Sequence, residues 1–214
     1  MIQAALFDLD GTLADTAPDL GYVLNRLRTA RGLPPLPLAA TRPVTSNGVR
    51  GLLKIGFDMT PEHADYAQLK DEFLALYAAN LHRETRLFPG MPELLAGLEQ
   101  RGVKWGVVTN KPQRFTEPLL DALGIRQRAA CVISGDSVGQ LKPHPAPLLA
   151  AAQSIAVVPA ACFYFGDDRR DVIAARAAGM PVAVALFGYL DGGAPETWGA
   201  DALLAHPLDL IALL

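Results

Sequence analysis

Residues 4–12 read AALFDLDGT, and this stretch decides the fold. A short apolar run that ends in Asp8, Asp10 and Gly11 is typical of a buried strand that leads into a tight turn. Apolar runs of the same form recur at residues 103–109, 130–134, 161–166 and 182–186, with helical patterns between them. Strands that are apolar throughout and alternate with helices belong to parallel sheets covered on both faces. The sequence therefore predicts an α/β fold, a doubly wound parallel sheet with a Rossmann-type core.

One long segment departs from this alternation. Residues 15–88 contain no clear strand and show only helical periodicity, interrupted by a proline-rich loop at residues 33–37. We predict three or four helices here, forming a small helical cap inserted after the first strand. The predicted domains are a core of residues 1–14 and 89–214 and a cap of residues 15–88, with hinges near residues 12–18 and 86–90.

Composition and charge exclude several classes of protein. Half of the 214 residues are hydrophobic and 19% are charged, which predicts a globular protein rather than a disordered one. The 19 Lys and Arg and 22 Asp and Glu give a net charge of −3, which argues against nucleic acid as a partner. No signal peptide or membrane span is evident, so we expect a cytoplasmic protein with no membrane partner. A monomer and a homodimer are both compatible with the sequence. Cys131 and Cys162 lack close Cys or His partners, and we expect them to be reduced.

Polar residues follow several of the predicted strands, at the edge where doubly wound sheets bind ligands. Carboxylates that are held close together normally share a cation or a proton, and oxygen ligands without His or Cys favour Mg²⁺. A lysine suits a phosphate oxygen. The set is Asp8, Asp10, Thr109, Asn110, Lys142 and Asp167. Acids, a cation, a hydroxyl and a lysine together predict a phosphoryl-transfer site.

These residues, in this order, resemble the four motifs of the haloacid dehalogenase (HAD) superfamily of phosphatases, at residues 8–12, 109–110, 142–143 and 166–171. The resemblance implies that Asp8 attacks phosphorus and becomes an aspartyl phosphate, which water then hydrolyses. It implies that Asp10 is the general acid and then the general base. Three further implied roles complete the site: Mg²⁺ bound by Asp8, the backbone carbonyl of Asp10 and Asp167; support of that metal by Asp171 or Asp168; and a phosphoryl group held by Thr109, the Asn110 backbone and Lys142.

Longer segments resemble one group within this superfamily, the phosphoglycolate phosphatase group, and in particular the bacterial N-acetylmuramic acid 6-phosphate phosphatases. They are residues 87–91, 105–112, 166–171, 188–189 and 198–201. The resemblance implies a Mg²⁺-dependent phosphomonoesterase whose partner is a small carboxylated phosphate ester, N-acetylmuramic acid 6-phosphate first and phosphoglycolate second.

In the cap, residues 45–50 occupy the stretch where this group carries a specificity loop. Ser46, Asn47 and Arg50 offer donors for hydroxyls, an amide or a carboxylate on the leaving group. Arg42 or Arg50 could pair with the substrate carboxylate. Both arginines are also compatible with a solvated helix surface, so the sequence leaves this choice open.

Structural roles compete with catalytic ones for three acids. Asp15 is expected to cap the first cap helix rather than to act in catalysis. Asp168 and Asp171 lie at the start of a predicted helix, and negative charge stabilises a helix N-terminus. We expect Asp171 rather than Asp168 to support the metal.

Some of the same residues occur in proteins with other functions. A receiver-type signalling domain also places acids, a Thr and a Lys at strand ends, but it needs no helical insertion after the first strand. A haloacid dehalogenase would need neither a metal nor a second acid, so Asp10 and Asp167 argue against it. A phosphosugar mutase would pass the aspartyl phosphate to a second hydroxyl instead of water, and it stays an alternative.

Overall fold

The computed structural model describes residues 1–214 and centres on a six-stranded parallel sheet with the order β5-β4-β1-β6-β7-β8. A separate two-stranded antiparallel ribbon pairs β2 with β3. The strands are β1 (Ala4–Phe7), β2 (Ala14–Asp15), β3 (Arg86–Leu87), β4 (Lys104–Val108), β5 (Cys131–Ile133), β6 (Cys162–Gly166), β7 (Val182–Ala185) and β8 (Ala202–Leu204). The predicted α/β fold and its five apolar strands are confirmed, and β8 is a sixth sheet strand that the sequence analysis missed.

Helices cover both faces of the sheet. They are α1 (Ala17–Ala30), α2 (Leu38–Thr41), α3 (Gly48–Phe57), α4 (Tyr66–Ala78), α5 (Met91–Gln100), α6 (Gln113–Ala122), α7 (Ala146–Ser154) and α8 (Arg169–Ala177). Alternate residues of β1 enter two different hydrophobic clusters, Ala5 and Phe7 with α5 and α6, and Ala4 and Leu6 with α7 and α8. Successive side chains of a strand point to opposite faces, so a strand buried on both faces must be apolar at every position.

The cap segment, residues 15–88, contains α1 to α4, as the helical periodicity predicts. Three of these helices, α1, α3 and α4, share a hydrophobic cluster of their own, to which Phe115 of α6 also contributes. Arg28 is buried among them and donates hydrogen bonds to the carbonyls of Pro34 and Gly56, which joins α1 to the proline-rich loop and to α3. The cap therefore has an apolar centre distinct from the two clusters of the sheet.

The two ends of the cap segment lie side by side. Ala14 pairs with Leu87 and Asp15 with Arg86 in the β2–β3 ribbon, where the sequence analysis expected no strand. Just beyond it, the buried carboxylate of Asp19 accepts hydrogen bonds from the backbone N–H groups of residues 83, 84 and 85, at 2.9–3.2 Å, and from the Thr85 hydroxyl at 2.7 Å. The chain thus enters and leaves the cap at one fixed point.

The cysteines and the helix lengths also bear on the expectations from the sequence. Cys131 and Cys162 are both free thiols, as expected. None of the helices combines the length and the apolar character needed to cross a lipid bilayer.

Candidate active site

The site lies at the carboxyl edge of the sheet, beneath the cap. Asp8 follows β1, Thr109 follows β4 and Asp167 follows β6, and β1 is the neighbour of both other strands. A cleft of about 450 Å³ extends from these strand ends to α4 and to the loop before α3. Parallel strands bring their carboxyl ends to one edge, so the topology alone gathers residues that are far apart in sequence.

Lys142 is the buried centre of this edge. Its Nζ lies 2.9 Å from Asp8 Oδ1 and 2.7 Å from Asp171 Oδ1, and it donates a hydrogen bond to the Tyr164 hydroxyl at 2.8 Å. Burial alone would lower the pKa of Lys142, but the charges of Asp171 and Asp8 raise it above its ordinary value. Lys142 is therefore a fixed ammonium inside the site and not a surface charge.

Asp8 occupies a polar but poorly solvated position. Burial raises the pKa of Asp8 to about 7, with the charge of Asp171 adding to this effect and the ammonium of Lys142 opposing it. Its Oδ1 also accepts the backbone N–H of Leu9 at 2.7 Å. A cation beside Asp8 would stabilise the ionised carboxylate, which is the form that can attack an electrophile.

Three acids could hold such a cation. Asp8, Asp167 and Asp171 each place a carboxylate oxygen within 4.8 Å of the others. Burial, together with the charges of Asp8 and Asp171, raises the pKa of Asp167 well above its ordinary value. The donors are all hard oxygens, so the residues fit Mg²⁺ better than a softer metal.

Asp171 and Asp167, the two acids of this cluster other than Asp8, differ in their hydrogen-bond partners. Asp171 has both oxygens engaged, one by Lys142 and Tyr164 and the other by the backbone N–H of Asp168 at 3.1 Å. Asp167 accepts the Tyr189 N–H at 2.8 Å and the Thr12 hydroxyl at 3.1 Å. Asp171 thus orients Lys142, whereas Asp167 is held by residues that follow β1 and β7 and also contacts Ser46 of the cap.

Two glycines make room for Asp167. A Cβ at Gly11 would lie 2.2 Å from Asp167 Oδ2, and one at Gly188 would lie 2.3 Å from the Asp167 Cβ. Gly11 also has a φ of +86°, which disfavours any residue with a side chain. The glycine of the DLDGT stretch is therefore required both by the turn and by the acid packed against it.

The side chain of Asp10 lies apart from the three-acid cluster. It accepts hydrogen bonds from the Thr16 hydroxyl at 2.6 Å and from Lys111 Nζ at 3.0 and 3.3 Å. The role in metal binding predicted for Asp10 involves its backbone carbonyl. The contacts with Thr16 and Lys111 are made by the Asp10 carboxylate and do not involve that carbonyl. Lys111 was not among the predicted site residues, although it directly follows Thr109 and Asn110.

Thr109 and Asn110 connect the loops that follow β4 and β5. The Asn110 side chain donates to the Lys142 carbonyl and accepts the Lys142 N–H, both at 2.9 Å. Thr109 is buried, and its hydroxyl accepts the Lys111 N–H at 3.2 Å. The Asn110 side chain therefore fixes the loop that carries Lys142, while Thr109 and the backbone of Asn110 remain beside the cleft.

Two of the three predicted cap residues reach the core. Ser46 Oγ donates to Asp167 Oδ2 at 3.3 Å. Asn47 donates to Asp191 at 2.7 Å and accepts from Arg170 at 2.9 Å. Arg50 is exposed and is not among the residues that line the cleft.

Arg42, the other arginine considered for a substrate carboxylate, is already paired. It makes two hydrogen bonds to Asp15, at 2.9 and 2.8 Å. The expectation that Asp15 caps the first cap helix is wrong, because the N-cap of α1 is Thr16, with no side-chain capping bond, and Asp15 binds Arg42 instead. The cations that do line the cleft, in addition to Lys111 and Lys142, are Lys70, Arg114 and Arg170.

Asp168 and Asp171 lie at the start of a helix, as expected, and both also form capping hydrogen bonds there. Asp168 is the N-cap of α8 and accepts the Arg170 N–H at 2.8 Å, while Asp171 accepts the Asp168 N–H, which completes a capping box. Asp168 is also paired with the Arg170 guanidinium at 2.7 Å. Residues 168–171 therefore form the start of a helix and one wall of the site at once.

A sheet of this topology, with acids and a buried lysine at its carboxyl edge beneath a helical insertion, defines a hydrolase of the haloacid dehalogenase type. The family model for haloacid dehalogenase-like hydrolases matches residues 5–185, and the chain belongs to this family.

Similar proteins indicate which kind of hydrolase within this family the chain resembles. A phosphoglycolate phosphatase of Xanthomonas campestris is 47% identical over 212 residues, covering 97% of this chain and 94% of the relative. An N-acetylmuramic acid 6-phosphate phosphatase of Pseudomonas aeruginosa is 40% identical over 214 residues, covering 100% of this chain and 95% of the relative. A crystal structure described as a predicted phosphoglycolate phosphatase, from Haemophilus somnus, has a TM-score of 0.88 at 28% identity and covers 99% of this chain and 97% of that one. The protein is a phosphatase of this type.

Proposed function

We propose that the protein is a Mg²⁺-dependent phosphomonoesterase that hydrolyses a small carboxylated phosphate ester through an aspartyl phosphate on Asp8. The observation that carries this proposal is the position of Lys142, a buried ammonium 2.9 Å from Asp8 and 2.7 Å from Asp171. A cation fixed beside a nucleophile can bind the oxygens of the transferring phosphoryl group while charge develops on them. The proposed domains are a core of residues 1–14 and 89–214 and a cap of residues 15–88.

The proposed reaction has two displacements. In the first, an Asp8 oxygen forms a bond to phosphorus, the bond to the leaving oxygen breaks, and that oxygen takes a proton from Asp10. In the second, Asp10 removes a proton from water, the water oxygen attacks phosphorus, and the bond to Asp8 breaks to release inorganic phosphate. Thr109, the Asn110 backbone and Lys142 hold the phosphoryl oxygens through both steps.

The proposed metal ligands are Asp8, the backbone carbonyl of Asp10 and Asp167, with Asp171 in support. When bound, Mg²⁺ supplies neutralisation of negative charge at the phosphoryl group and at the acids. The raised pKa values of Asp8 and Asp167 support a cation at this position, because burial penalises both carboxylates in their ionised form. The Thr12 hydroxyl and the Tyr189 N–H would hold the Asp167 carboxylate in orientation.

Between the two candidate substrates, the size of the cleft favours N-acetylmuramic acid 6-phosphate. Phosphoglycolate has about 9 non-hydrogen atoms and would leave most of the cleft of about 450 Å³ empty, whereas the sugar phosphate has about 24. Lys70 and Arg114 line the cleft and are cations that could attract the substrate carboxylate. Phosphoglycolate stays the second candidate.

The test is a phosphate-release assay with N-acetylmuramic acid 6-phosphate, 2-phosphoglycolate and p-nitrophenyl phosphate, each with Mg²⁺ and with a chelator. We expect one phosphate per substrate consumed, only with Mg²⁺, and a higher kcat/KM for the sugar phosphate. Asp8→Asn should abolish both turnover and trapping by beryllium fluoride. Retained turnover in Asp8→Asn would refute the covalent step, and substrate loss without phosphate release would favour the mutase.

A further inference from the structure

The Tyr77 hydroxyl is the only buried side-chain nitrogen or oxygen of the protein that lacks a hydrogen-bond partner. Tyr77 lies on α4 of the cap and is 2% exposed. A buried polar group without a partner destabilises the fold relative to one that is paired, so such a group in a well-packed protein needs an explanation. Nothing in the packing of the cap uses this hydroxyl.

The position of Tyr77 suggests what the hydroxyl serves. The side chain lines the cleft, and its ring lies 4.7 Å from Lys111 Nζ, the ammonium that pairs with Asp10. Phe73 and Phe115 hold the ring, with centroid distances of 6.5 and 5.4 Å. The side chain therefore has a fixed position on the cap side of the cleft, next to Lys111, which pairs with the acid that is proposed to protonate the leaving group.

Tyr77 is also in the chemical form that can donate a hydrogen bond. Burial raises the pKa of Tyr77 to about 12, because the phenolate would be poorly solvated, and the charge of Lys111 opposes this only in part. The hydroxyl is thus neutral over the whole pH range in which a phosphatase of this kind would work. Lys111 donates hydrogen bonds to both oxygens of Asp10, and its ammonium also lies close to the Tyr77 hydroxyl without forming a hydrogen bond of normal geometry to it.

We infer that Tyr77 binds the leaving group of the substrate, its hydroxyl donating a hydrogen bond to a hydroxyl, carbonyl or carboxylate oxygen near the ester bond. This inference rests on the proposed phosphatase function. It adds a residue of α4 to the cap residues expected to contact the leaving group, which otherwise lie in the loop of residues 45–50. A ring fixed by two aromatic neighbours needs no reordering to make this bond, so the bond would favour substrates with a polar leaving group over those with an apolar one.

The test compares Tyr77→Phe with Tyr66→Phe, a matched control that removes a hydroxyl from the same helix outside the cleft. Both variants are assayed with N-acetylmuramic acid 6-phosphate and with p-nitrophenyl phosphate, whose leaving group has no hydroxyl or carboxylate. We expect Tyr77→Phe to lower kcat/KM about tenfold for the sugar phosphate, the loss of one hydrogen bond, and to change it less than about twofold for p-nitrophenyl phosphate. Tyr66→Phe should change neither.

Thermal unfolding separates this role from a structural one. Removing an unpaired buried hydroxyl should leave the Tm of Tyr77→Phe equal to or above that of the wild type. A Tm lowered by several degrees would show that the hydroxyl has a partner within the fold and would overturn the inference, as would equal losses on both substrates or no loss on the sugar phosphate. If the wild type released no phosphate from either candidate substrate or from p-nitrophenyl phosphate, the proposed function itself would be refuted. That result concerns the wild type, so it differs from every result that would overturn the role of Tyr77 alone.

Discussion

Replacing Lys142 with Met removes the buried ammonium but keeps a side chain of similar length. Asp8 and Asp171 would then face each other without a cation, although both now lie within 3 Å of one. Removing one partner from a buried ion pair typically costs about 3–5 kcal/mol. For a chain of this size the Tm should fall by about 6–20 °C, and turnover should fall by at least about 10²-fold because a donor to the phosphoryl oxygens is lost.

The pH dependence of this loss has a definite sign. In the wild type the pKa of Asp8 is raised from 3.8 to about 7, and without Lys142 it must rise further, since the ammonium opposes the shift. A carboxyl whose folded-state pKa is raised loses stability as pH rises through the interval between its unfolded and folded values. Up to about pH 7 the wild type and the variant share this loss, and above it only the variant continues to lose stability.

The assay is urea unfolding of both proteins in a chelator, at pH 6 and pH 8.5. We expect the difference in the free energy of unfolding between wild type and Lys142→Met to be larger at pH 8.5. A difference below about 1 kcal/mol at both pH values, or one that is the same at both, would refute the assignment of Lys142 as the cation that opposes the raised pKa of Asp8.

Three further predictions concern other contacts. Asp19→Asn replaces one acceptor oxygen by a donor amide opposite N–H groups, so it should lower the free energy of unfolding by about 2–4 kcal/mol in urea. Asn47→Ala removes the contacts to Arg170 and Asp191, and should raise KM for a sugar phosphate several-fold in steady-state assays while changing kcat little. Asp10→Asn should lower kcat by about 10²–10⁴ while leaving magnesium binding, measured by calorimetry, largely intact.

Each of these has a control. Thr85→Val removes only the hydroxyl bond to Asp19, so it should cost less than Asp19→Asn, and equal costs would contradict the account of the backbone bonds. Asn80→Ala, outside the cleft on the same cap, should leave KM unchanged, and a rise equal to that of Asn47→Ala would indicate general loosening of the cap. Loss of magnesium binding in Asp10→Asn would contradict a role confined to proton transfer.

The sheet could be predicted because burial on both faces forces a simple pattern. Residues 4–7 and 162–166 are apolar at nearly every position, and each such strand ends in a polar residue that the topology carries to the same edge. The convergence of Asp8, Thr109 and Asp167 follows from that rule and needs no knowledge of side-chain packing, whereas Lys142 lies in the loop after β5 and is placed by its contacts with Asn110. The strand β8 was missed because three residues, one of them exposed, do not make a periodic pattern.

The contacts that depend on long-range packing could not be predicted. Lys111 and Asp10 are separated by 101 positions, and nothing local distinguishes Lys111 from a solvated loop lysine. Tyr77 stands at a core position of α4, so helical periodicity assigns it to the apolar centre of the cap and gives no sign of its free hydroxyl. Arg42 was a candidate for the substrate carboxylate because the sequence does not show its partner. That partner, Asp15, lies 27 positions away and meets Arg42 only when the cap folds.

The β2–β3 ribbon has a consequence for how this family can change. The whole of residues 15–88 is joined to the rest of the chain at two adjacent points, where Ala14 faces Leu87 and Asp15 faces Arg86. A foreign helical segment with closely spaced ends could therefore be spliced in there without altering the order of the sheet strands. Phe115 sets the condition for such an exchange, because this core residue is buried among cap side chains and any replacement must cover it.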